Sequence, residues 1–505
     1  MCPTAGVTIP EVDFSSRIRK HLEGWGLHSF SSEAAYYAWQ RRLIPPEQLK
    51  GLADLARKRQ GKEGAKWDLA FYDLAASPDI LPVIYSQRYG YYQEIGLAVV
   101  QQLLTFSHPL SVLDVGCGVG ILTTWYASVC PHMTFRGLDR SPQSIVAAKR
   151  HTARLNLSNV EFSCCTIPHD RVSGNFDLII ATQALFQSEV DPGLPSQSWG
   201  TFERTQDEIA QQAAEERTGL GPRLEGVLSC LKPQGVLLLV EKTLHLGRRV
   251  LFQRGLMRRG LSMVQKPRYL HYVNLGETEQ EGPLYMVSRV DRGEVLWDEM
   301  PQSPDIQGLY RCSGKTANLV CSQLESTAHD ESWSMGTRGQ SIAGSISRVS
   351  GGLIFGCIRV GSSVRGVVVG GSSDEPAIRE IFENLKDRAS TSESFDRLCA
   401  EIWPGPVDTD PFEFVPVYEN HSPAAQRVWT DLVGRCVIQS ETANEEDGRA
   451  QHIEFGEFTG GWVYLYWANT YDQRQLVIME AARKSVLLDY FKESIKSPAE
   501  PTDLF

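Results

Sequence analysis

The sequence contains no pair of cysteines spaced as C-x-x-C, and its 11 cysteines are scattered over 505 residues. Zinc sites and disulfide frameworks need regular cysteine spacing, so we predict no metal site and the reduced thiols of a cytoplasmic protein. No apolar run approaches the ~18 residues that cross a bilayer. Residues 1–13 also lack the basic start and apolar core of a signal peptide. We therefore expect no membrane partner.

The chain also lacks an excess of basic residues. Its net charge of −11 argues against a general attraction to nucleic acid. The exception is residues 242–268, a segment that holds Lys and Arg but neither Asp nor Glu. Apolar residues interrupt the segment, which predicts a short amphipathic helix with a basic rim. That rim is either a solvated helix face or a site for a phosphate or an acidic partner.

The most informative segment is residues 111–120, SVLDVGCGVG, an apolar strand followed by a turn with Gly116, Gly118 and Gly120. Closely spaced glycines let a ligand approach the backbone at the N-terminus of the next helix. A second apolar strand ends at Asp139, about 20 residues beyond the turn, the spacing at which an acid commonly binds ribose hydroxyls. These features predict a nucleotide site.

Further apolar strands at 176–180 and 235–240 alternate with expected helices at 121–129 and 141–155. Alternating strands and helices predict an α/β domain over residues 91–300, with a doubly wound, mostly parallel sheet. A chain of this length has room for about three domains, since one core rarely exceeds ~250–300 residues. We expect further domains on both sides of this one.

The order and spacing of these motifs resemble the class I S-adenosylmethionine-dependent methyltransferases. The first motif of that class has an acid and then glycines at alternate positions, matched here by Asp114 and the three glycines of the turn. The resemblance implies S-adenosylmethionine as cofactor, with its amino-acid end against the glycines and its ammonium on Asp114. It implies Asp139 on the ribose hydroxyls and Arg140 beside the adenosine. A Rossmann-like unit that binds another nucleotide is the alternative.

The resemblance also implies two features near the ends of the strands. The sheet would end in an antiparallel pair of strands, at 261–273 and 283–290. The insertion at 188–222, with an expected helix at 205–216, would lie beside the ligand crevice, because that crevice is at the carboxyl ends of the strands.

The sequence departs from the family pattern at the adenine site. Many members have an acid at the end of the third strand, whereas this chain has Cys165 and Thr166 there. We expect backbone atoms of these two residues, together with Ile167, to hold the adenine, and the missing acid leaves a weakened cofactor site or a non-catalytic protein as alternatives. Arg88 and Tyr89 would meet the cofactor's carboxylate or line the acceptor pocket, because arginine pairs well with carboxylates.

Three residues are candidates for the chemistry of methyl transfer. Gln183 follows a strand at the place where family members position residues near the transferring methyl group. His245 and Glu241 follow the next strand, and strand ends of this kind face the crevice. Histidine titrates near neutral pH, so His245 is a candidate general base and Glu241 a comparable one. A purely structural role is the alternative for each.

Residues 1–90 are rich in aromatic side chains and predict a helical cap, with a helix at 33–43 and another that opens at Pro46. Small-molecule methyltransferases that resemble this chain often carry such a cap over the acceptor. An apolar, water-poor pocket suits methyl transfer. We therefore interpret the cap as a lid, with packing in a core as the alternative.

The C-terminal part of the chain contains an internal repeat with a spacing of 109 positions. The matching residues are Gly351-Gly352 with Gly460-Gly461, Arg365 with Arg474, and Phe382 with Phe491. We predict two α+β modules, at 308–390 and 416–497, each with a helix, three strands and a closing helix. The expected elements are 316–324, 342–348, 353–359, 365–370 and 375–387, and then 424–432, 452–458, 462–468, 474–479 and 481–496.

These observations predict transfer of a methyl group from S-adenosylmethionine to an oxygen, nitrogen or carbon of a small-molecule acceptor. Two alternatives stay open. The C-terminal modules would dock a protein or an RNA for methylation, an alternative that the basic segment favours. Otherwise the central domain would be a methyltransferase-like scaffold that binds without catalysing a reaction.

Overall fold

A computed structural model gives the fold of the chain. The structure describes residues 13–60, 64–170, 172–186, 191–290, 297, 309–324, 329–337, 340–349, 353–371, 374–403, 415–416, 435–444, 450–458, 462–471 and 474–496. They form two compact units. The N-terminal unit contains Met1–Leu194 and Gln206–Glu299, and the C-terminal unit contains Pro195–Thr205 and Met300–Phe505.

The N-terminal unit begins with six helices. They are α1 (Phe14–Gly24), α2 (Glu33–Leu43), α3 (Pro46–Gln60), α4 (Gly64–Ala75), α5 (Leu81–Ser86) and α6 (Tyr89–Leu103). Helix α2 has the bounds expected from the sequence, because the Ser32 hydroxyl caps it by accepting a hydrogen bond from Ala35 N. Helix α3 opens at Pro46 as expected, since proline has no N–H to leave unsatisfied in a first turn.

A mixed, mostly parallel sheet follows these helices. Its elements are β1 (Ser111–Val115), α7 (Ile121–Val129), β2 (Thr134–Asp139), α8 (Pro142–Arg154), β3 (Val160–Cys164), β4 (Phe176–Thr182), α9 (Glu208–Arg217), α10 (Leu220–Leu228), β5 (Leu231–Val240), α11 (Leu246–Met257), β6 (Ser262–Met263), β7 (Arg268–Asn274) and β8 (Glu277–Ser288). The strand order is β3-β2-β1-β4-β5-β8-β6, and β7 pairs with β8. Strands β1 to β5 run parallel. The expected doubly wound architecture is confirmed for this sheet.

The centre of the sheet is fully buried because its strands are apolar on both faces. Residues Leu178, Ile179, Ile180 and Ala181 of β4 have no exposed surface. Parallel strands covered by helices on both sides have this near-continuous apolar pattern. The sheet therefore forms a rigid platform whose carboxyl edge carries the turn at Gly116–Gly120.

The antiparallel end of the sheet differs in its bounds from the sequence prediction. The single strand expected at 261–273 is divided into β6 and β7, with Pro267 between them. Proline has no N–H to donate to a strand ladder, so it interrupts the pairing. Strand β8 begins at Glu277, earlier than the expected residue 283.

Three arginines of the basic segment are buried on α11, which corrects the expectation of a solvated or phosphate-binding rim for them, whereas Arg258, Lys266 and Arg268 are exposed as expected. Arg248, Arg249 and Arg254 are each less than a tenth exposed. Arg248 donates hydrogen bonds to Lys242 O and Asp191 O, both at 2.7 Å, and Arg249 donates to the Tyr269 hydroxyl at 3.1 Å. These arginines bond to the fold of the N-terminal unit, so they are not a docking surface.

The insertion after β4 is divided between the two units. Helix α9 occupies 208–217, close to the helix expected at 205–216. Residues 195–205 belong instead to the C-terminal unit. Ser196 N donates to Thr470 O at 2.7 Å, and the Trp199 ring stacks on His452 with ring centroids 4.5 Å apart.

The C-terminal unit contains two five-stranded antiparallel sheets. The first module has β9 (Tyr310–Ser313), α12 (Gly314–Leu324), β10 (His329–Thr337), β11 (Gln340–Val349), β12 (Leu353–Val360), β13 (Ser363–Gly371), α13 (Glu375–Arg388) and α14 (Ser392–Ile402). The second module has β14 (Val415–Pro416), β15 (Arg435–Asn444), β16 (Ala450–Phe458), β17 (Trp462–Asn469), β18 (Arg474–Glu480) and α15 (Lys484–Lys496).

The two modules share strand order and, between β11 and β12 and between β16 and β17, the same register. The orders are β10-β11-β12-β13-β9 in the first module and, written from the same edge, β15-β16-β17-β18-β14 in the second. The strands therefore correspond one to one in chain order. Ile342 pairs with Val360 on β11 and β12. The residues 109 positions later, Gln451 and Asn469, pair on β16 and β17. Phe382 and Phe491, which match at the same spacing, are both buried in apolar clusters.

Several predicted features of the modules lie outside the described residues, namely the glycine pairs and the helix at 424–432. The sequence prediction missed the first two strands of each module and helix α14. Within the described ranges, no helix has both the length and the apolar character needed to cross a membrane. Nor does any cluster of His, Cys, Asp and Glu in those ranges fit a metal ion.

Candidate active site

The turn after β1 requires glycine for conformational and steric reasons. Gly116, Gly118 and Gly120 have φ values of +70°, +55° and +85°, in the left-handed region that side chains disfavour. A Cβ on Gly116 would lie 2.5 Å from the Cβ of Ala184. The turn thus presents bare backbone to the space above the sheet, as the sequence pattern predicts.

Asp139 lies at the end of β2 and supports this turn. Its Oδ2 accepts a hydrogen bond from Gly118 N at 2.9 Å, and its Oδ1 accepts one from Ser141 N at 2.8 Å. Burial raises the pKa of this carboxyl, and the two backbone hydrogen bonds partly oppose that rise. A carboxylate oxygen has more than one acceptor site, so each oxygen can also accept a bond from a ligand hydroxyl.

Asp114 lies in the floor of the site and is 2% exposed. The Thr123 hydroxyl donates to its Oδ2 at 2.5 Å. Its Oδ1 is buried and has no hydrogen-bond partner among the described residues. Burial raises the pKa of Asp114 to about 7. A buried carboxyl oxygen without a donor is costly for the fold, so the site is suited to a ligand that brings one.

These residues face a cavity of about 230 Å³. The helical cap contributes Asp68, Tyr72 and Tyr85 to its walls, so the cap and the sheet edge line one cavity. Predicted cofactor residues that line it are Arg88, Asp114, Gly116, Gly118, Asp139, Arg140, Cys165, Thr166 and Gln183. Gly120 lies one residue past the lining residue Val119, where α7 begins.

Helix α4 of the cap is pinned beside Asp139 by ion pairs and hydrogen bonds. Arg140 donates to Asp68 at 2.8 Å, and Asp68 also accepts from Arg59 at 2.6 Å. The Ser141 hydroxyl donates to Asp73 at 2.6 Å. Because Arg140 and Ser141 directly follow Asp139, these bonds hold α4 beside Asp139.

A second network lies where β4 ends. Arg88 donates to Gln183 Oε1 at 2.8 Å and lies over the Tyr91 ring, 3.7 Å from its centroid. The Gln183 amide in turn donates to Glu281 Oε2 at 2.9 Å. Gln183 is thereby fixed in orientation. Sequence reasoning missed Glu281 and Tyr91, since neither lies near a recognisable motif.

Glu241 holds the backbone that follows Gln183. Its Oε1 accepts hydrogen bonds from Ala184 N and Leu185 N, both at 2.8 Å. Burial raises its pKa to about 7, while the backbone hydrogen bonds oppose that rise. Glu241 lines the cavity as predicted, but its contacts are those of a residue that positions the loop at 184–185.

The structure places two predicted residues away from the cavity. Tyr89 is buried in the core, and Glu23 and Arg19 of α1 influence its pKa, so its side chain faces α1. His245 is exposed just before α11 and does not line the cavity. Consecutive residues of a helix point about 100° apart, and here Arg88 lines the cavity while Tyr89 packs towards α1.

The backbone N–H groups at the expected adenine site are already bonded within the fold. Cys165 N donates to Asp139 O at 2.9 Å, and Thr166 N donates to Asp170 Oδ2 at 2.7 Å. These two N–H groups are therefore engaged within the fold. Both residues line the cavity.

Comparisons with known proteins identify the central domain. A family model described as a methyltransferase domain matches residues 107–249. Malonyl-acyl-carrier protein O-methyltransferase of Acetivibrio thermocellus is 38% identical over 78 residues, 15% of this chain and 26% of that protein. Release factor glutamine methyltransferase of Buchnera aphidicola is 44% identical over 52 residues, 10% of this chain and 19% of that protein. The chain thus spans about a quarter or less of these relatives.

Solved structures show a distant likeness. A SAM dependent methyltransferase from Aquifex aeolicus is 13% identical, with a TM-score of 0.29, and the match covers 43% of this chain and 98% of that one. Magnesium protoporphyrin IX methyltransferase from Synechocystis is 17% identical, with a TM-score of 0.28, over 40% and 84% of the two chains.

The family match agrees with the sheet order, the glycine turn and the two carboxyl groups described above. The central domain is a class I S-adenosylmethionine-dependent methyltransferase domain. S-adenosylmethionine is the cofactor of this class.

Proposed function

We propose that the chain is an enzyme that transfers a methyl group from S-adenosylmethionine to a small-molecule acceptor. The observation that carries the proposal is the buried Oδ1 of the cavity-lining residue Asp114, which has no hydrogen-bond donor among the described residues. The ammonium group of the cofactor would supply that donor. Asp139, with lone pairs left on both oxygens, would accept the ribose hydroxyls.

The cofactor supplies an activated methyl group on a sulfonium, so the protein has three tasks: to bind, to align and to exclude water. The bare backbone of the glycine turn gives the cofactor room along the sheet edge. The ion pairs of Asp68 with Arg140 and Arg59 would hold the cap beside it. Gln183, fixed between Arg88 and Glu281, would orient the acceptor at the end of β4.

The acceptor class is argued from the walls of the cavity. Tyr72, Tyr85, Tyr91 and Tyr92 line it together with Phe186. Most of these aromatic rings belong to the helices that precede the sheet, so the site is walled by aromatic side chains on the side of the cap. Pockets of this kind hold small molecules by apolar contact with a few orienting polar groups.

A protein or RNA acceptor is the second candidate, since one relative is named for a protein substrate and another for a carrier-bound one. The C-terminal modules would then dock the macromolecule. A third candidate is a binding protein without activity. We favour the small molecule because three arginines of the basic segment are buried on α11, which weakens the argument for an acidic macromolecular partner. We also propose a cytoplasmic location.

The cofactor site is tested by Asp139→Ala. Loss of hydrogen bonds to a charged acceptor should weaken binding of S-adenosylhomocysteine by about 1–3 kcal/mol, roughly 5- to 150-fold. Isothermal titration calorimetry measures this directly. The matched control is Glu161→Gln, an exposed acid on β3 that does not line the cavity. Equal affinity in both variants would refute the site.

A further inference from the structure

The first module of the C-terminal unit brings together two thiols that are distant in sequence. Cys321 on α12 and Cys357 on β12 have their Sγ atoms 3.1 Å apart. Both residues are 1% exposed. A disulfide bond has sulfurs about 2.05 Å apart, so a side-chain shift of about 1 Å would join them.

The surroundings make the two sulfurs unequal. The Arg359 guanidinium donates to Cys321 Sγ at 3.4 Å. The hydrogen bond with Cys357 and the positive charge of Arg359 lower the pKa of Cys321 to about 7, against the effect of burial. The same hydrogen bond, together with burial, raises the pKa of Cys357. Cys321 is therefore the thiolate of the pair, and thiolates are the nucleophiles in disulfide exchange.

The second module shows that this fold does not require the pair. Ser345 pairs with Cys357 in the first module, and Glu454 pairs with Tyr466 at the same register of the second. Arg359 corresponds in the same way to Ala468. The matching sheet is thus built with neither the thiol nor the guanidinium, so both are particular to the first module.

We propose that Cys321 and Cys357 form a reversible disulfide by exchange with a low-molecular-mass disulfide. The Cys321 thiolate attacks one sulfur of that disulfide, whose S–S bond breaks to release one thiolate. Cys357 loses its proton to solvent and attacks Cys321 Sγ, and the second small thiolate leaves. The protein pair gives up two electrons, which reduce the small disulfide to two thiols.

The bond would close a loop of 36 residues between α12 and β12. Cross-links of this kind restrict the unfolded chain, so the oxidised module should melt at a higher temperature than the reduced one. Because both sulfurs are buried, exchange requires a local opening of α12. Oxidation of the pair should therefore be slower than reaction at the exposed Cys436 and Cys164.

The experiment treats the full chain with oxidised glutathione, blocks remaining thiols by alkylation and maps peptides by mass spectrometry. We expect a linked Cys321–Cys357 peptide that dithiothreitol releases, and a melting temperature several degrees higher in the oxidised form. Cys436→Ser should behave as the unaltered chain. Failure of the linked peptide to form, or preferential linkage of Cys321 to Cys312, would overturn the proposal.

Two variants test the assignment of roles. Cys357→Ser should stop the reaction at a glutathione adduct on Cys321, because the resolving thiol is absent. Arg359→Met should slow formation of the bond several-fold near neutral pH without preventing it, since the thiolate loses its cation. If Arg359→Met reacts at the unaltered rate, the guanidinium does not activate Cys321 and the mechanism fails.

Discussion

Two carboxyl groups of the cavity, Asp114 and Glu241, have pKa values raised to about 7 by burial. In the unfolded chain such groups ionise near pH 4. Between these values the folded chain binds protons that the unfolded chain does not. The stability of the cofactor-free protein should therefore fall as pH rises from about 4 to 7. A cation beside Asp114 opposes the effect of burial on this residue, because it favours the ionised carboxylate and so lowers its pKa.

The affinity for S-adenosylhomocysteine should consequently rise from pH 6 towards pH 8, by at most about 10-fold per pH unit below the pKa. Calorimetry in buffers of different ionisation enthalpy should show a proton released on binding. Asp114→Asn should lose both effects, whereas Glu241→Gln, the control for the other titrating acid, should keep them. A full pH dependence in Asp114→Asn would show that another group carries the proton.

At the scale of residues, sequence reasoning located those residues of the cavity that belong to a motif with a fixed spacing along the chain. The positions of Gly116, Gly118 and Asp139 follow from spacing along two consecutive strands. It failed for His245, because a loop residue's direction depends on packing. It missed Glu281, because this residue is far from Gln183 along the chain and comes beside it only when the sheet has folded.

At the scale of elements, helix α4 of the cap is bonded to the residues that directly follow Asp139. Its Asp68 bonds Arg140, the residue after Asp139. The Asp68 side chain is 14% exposed and that of Arg140 is 28% exposed, so solvent weakens this pair only in part. Opening of α4 would require this pair and the Ser141–Asp73 bond to break.

Asp68→Ala should speed the dissociation of S-adenosylhomocysteine about 3- to 10-fold, the scale of ~1 kcal/mol expected for a partly exposed ion pair. Stopped-flow displacement measures the rate, and hydrogen exchange should increase in residues 64–75. Asp54→Ala, which breaks the exposed pair with Arg57 on α3, should leave both unchanged. An unaltered dissociation rate in Asp68→Ala would remove α4 from the lid.

The elements that the sequence predicted well are those with a clear periodicity or cap. Helices α2 and α7 have the expected bounds, and the strands at 353–360 and 462–469 differ from the expected ones by one residue. Strand β15 was missed because its described side chains are exposed along its length. Without a buried face, a strand lacks the alternation that reveals it.

At the scale of the whole molecule, the chain combines a methyltransferase domain with two matching modules. The 109-residue spacing of the sequence predicts two modules in the C-terminal part, but nothing in the sequence predicts that residues 195–205 group with the C-terminal unit. Contacts between segments so far apart in the chain leave no local pattern. They depend on which surfaces meet after folding.

The acceptor class is a property of the whole chain and should be tested with it. The full chain, given S-adenosylmethionine labelled in the methyl group and a cell extract, should transfer label to the low-molecular-mass fraction. The enclosing aromatic walls admit small molecules more readily than a folded polymer. The Asp139→Ala variant is the control for background labelling. Label confined to protein or RNA would favour the macromolecular candidate.

The segment 195–205 makes the chain cross between its units twice before residue 300. Ser196 donates to Thr470 O, and the Trp199 ring stacks on His452, both in the second module. A chain fragment that ends at residue 300 therefore includes residues 195–205, which belong to the C-terminal unit. The remaining fragment lacks this segment. Recombination that replaces the C-terminal unit must also replace the segment 195–205. This requirement favours inheritance of the two units together.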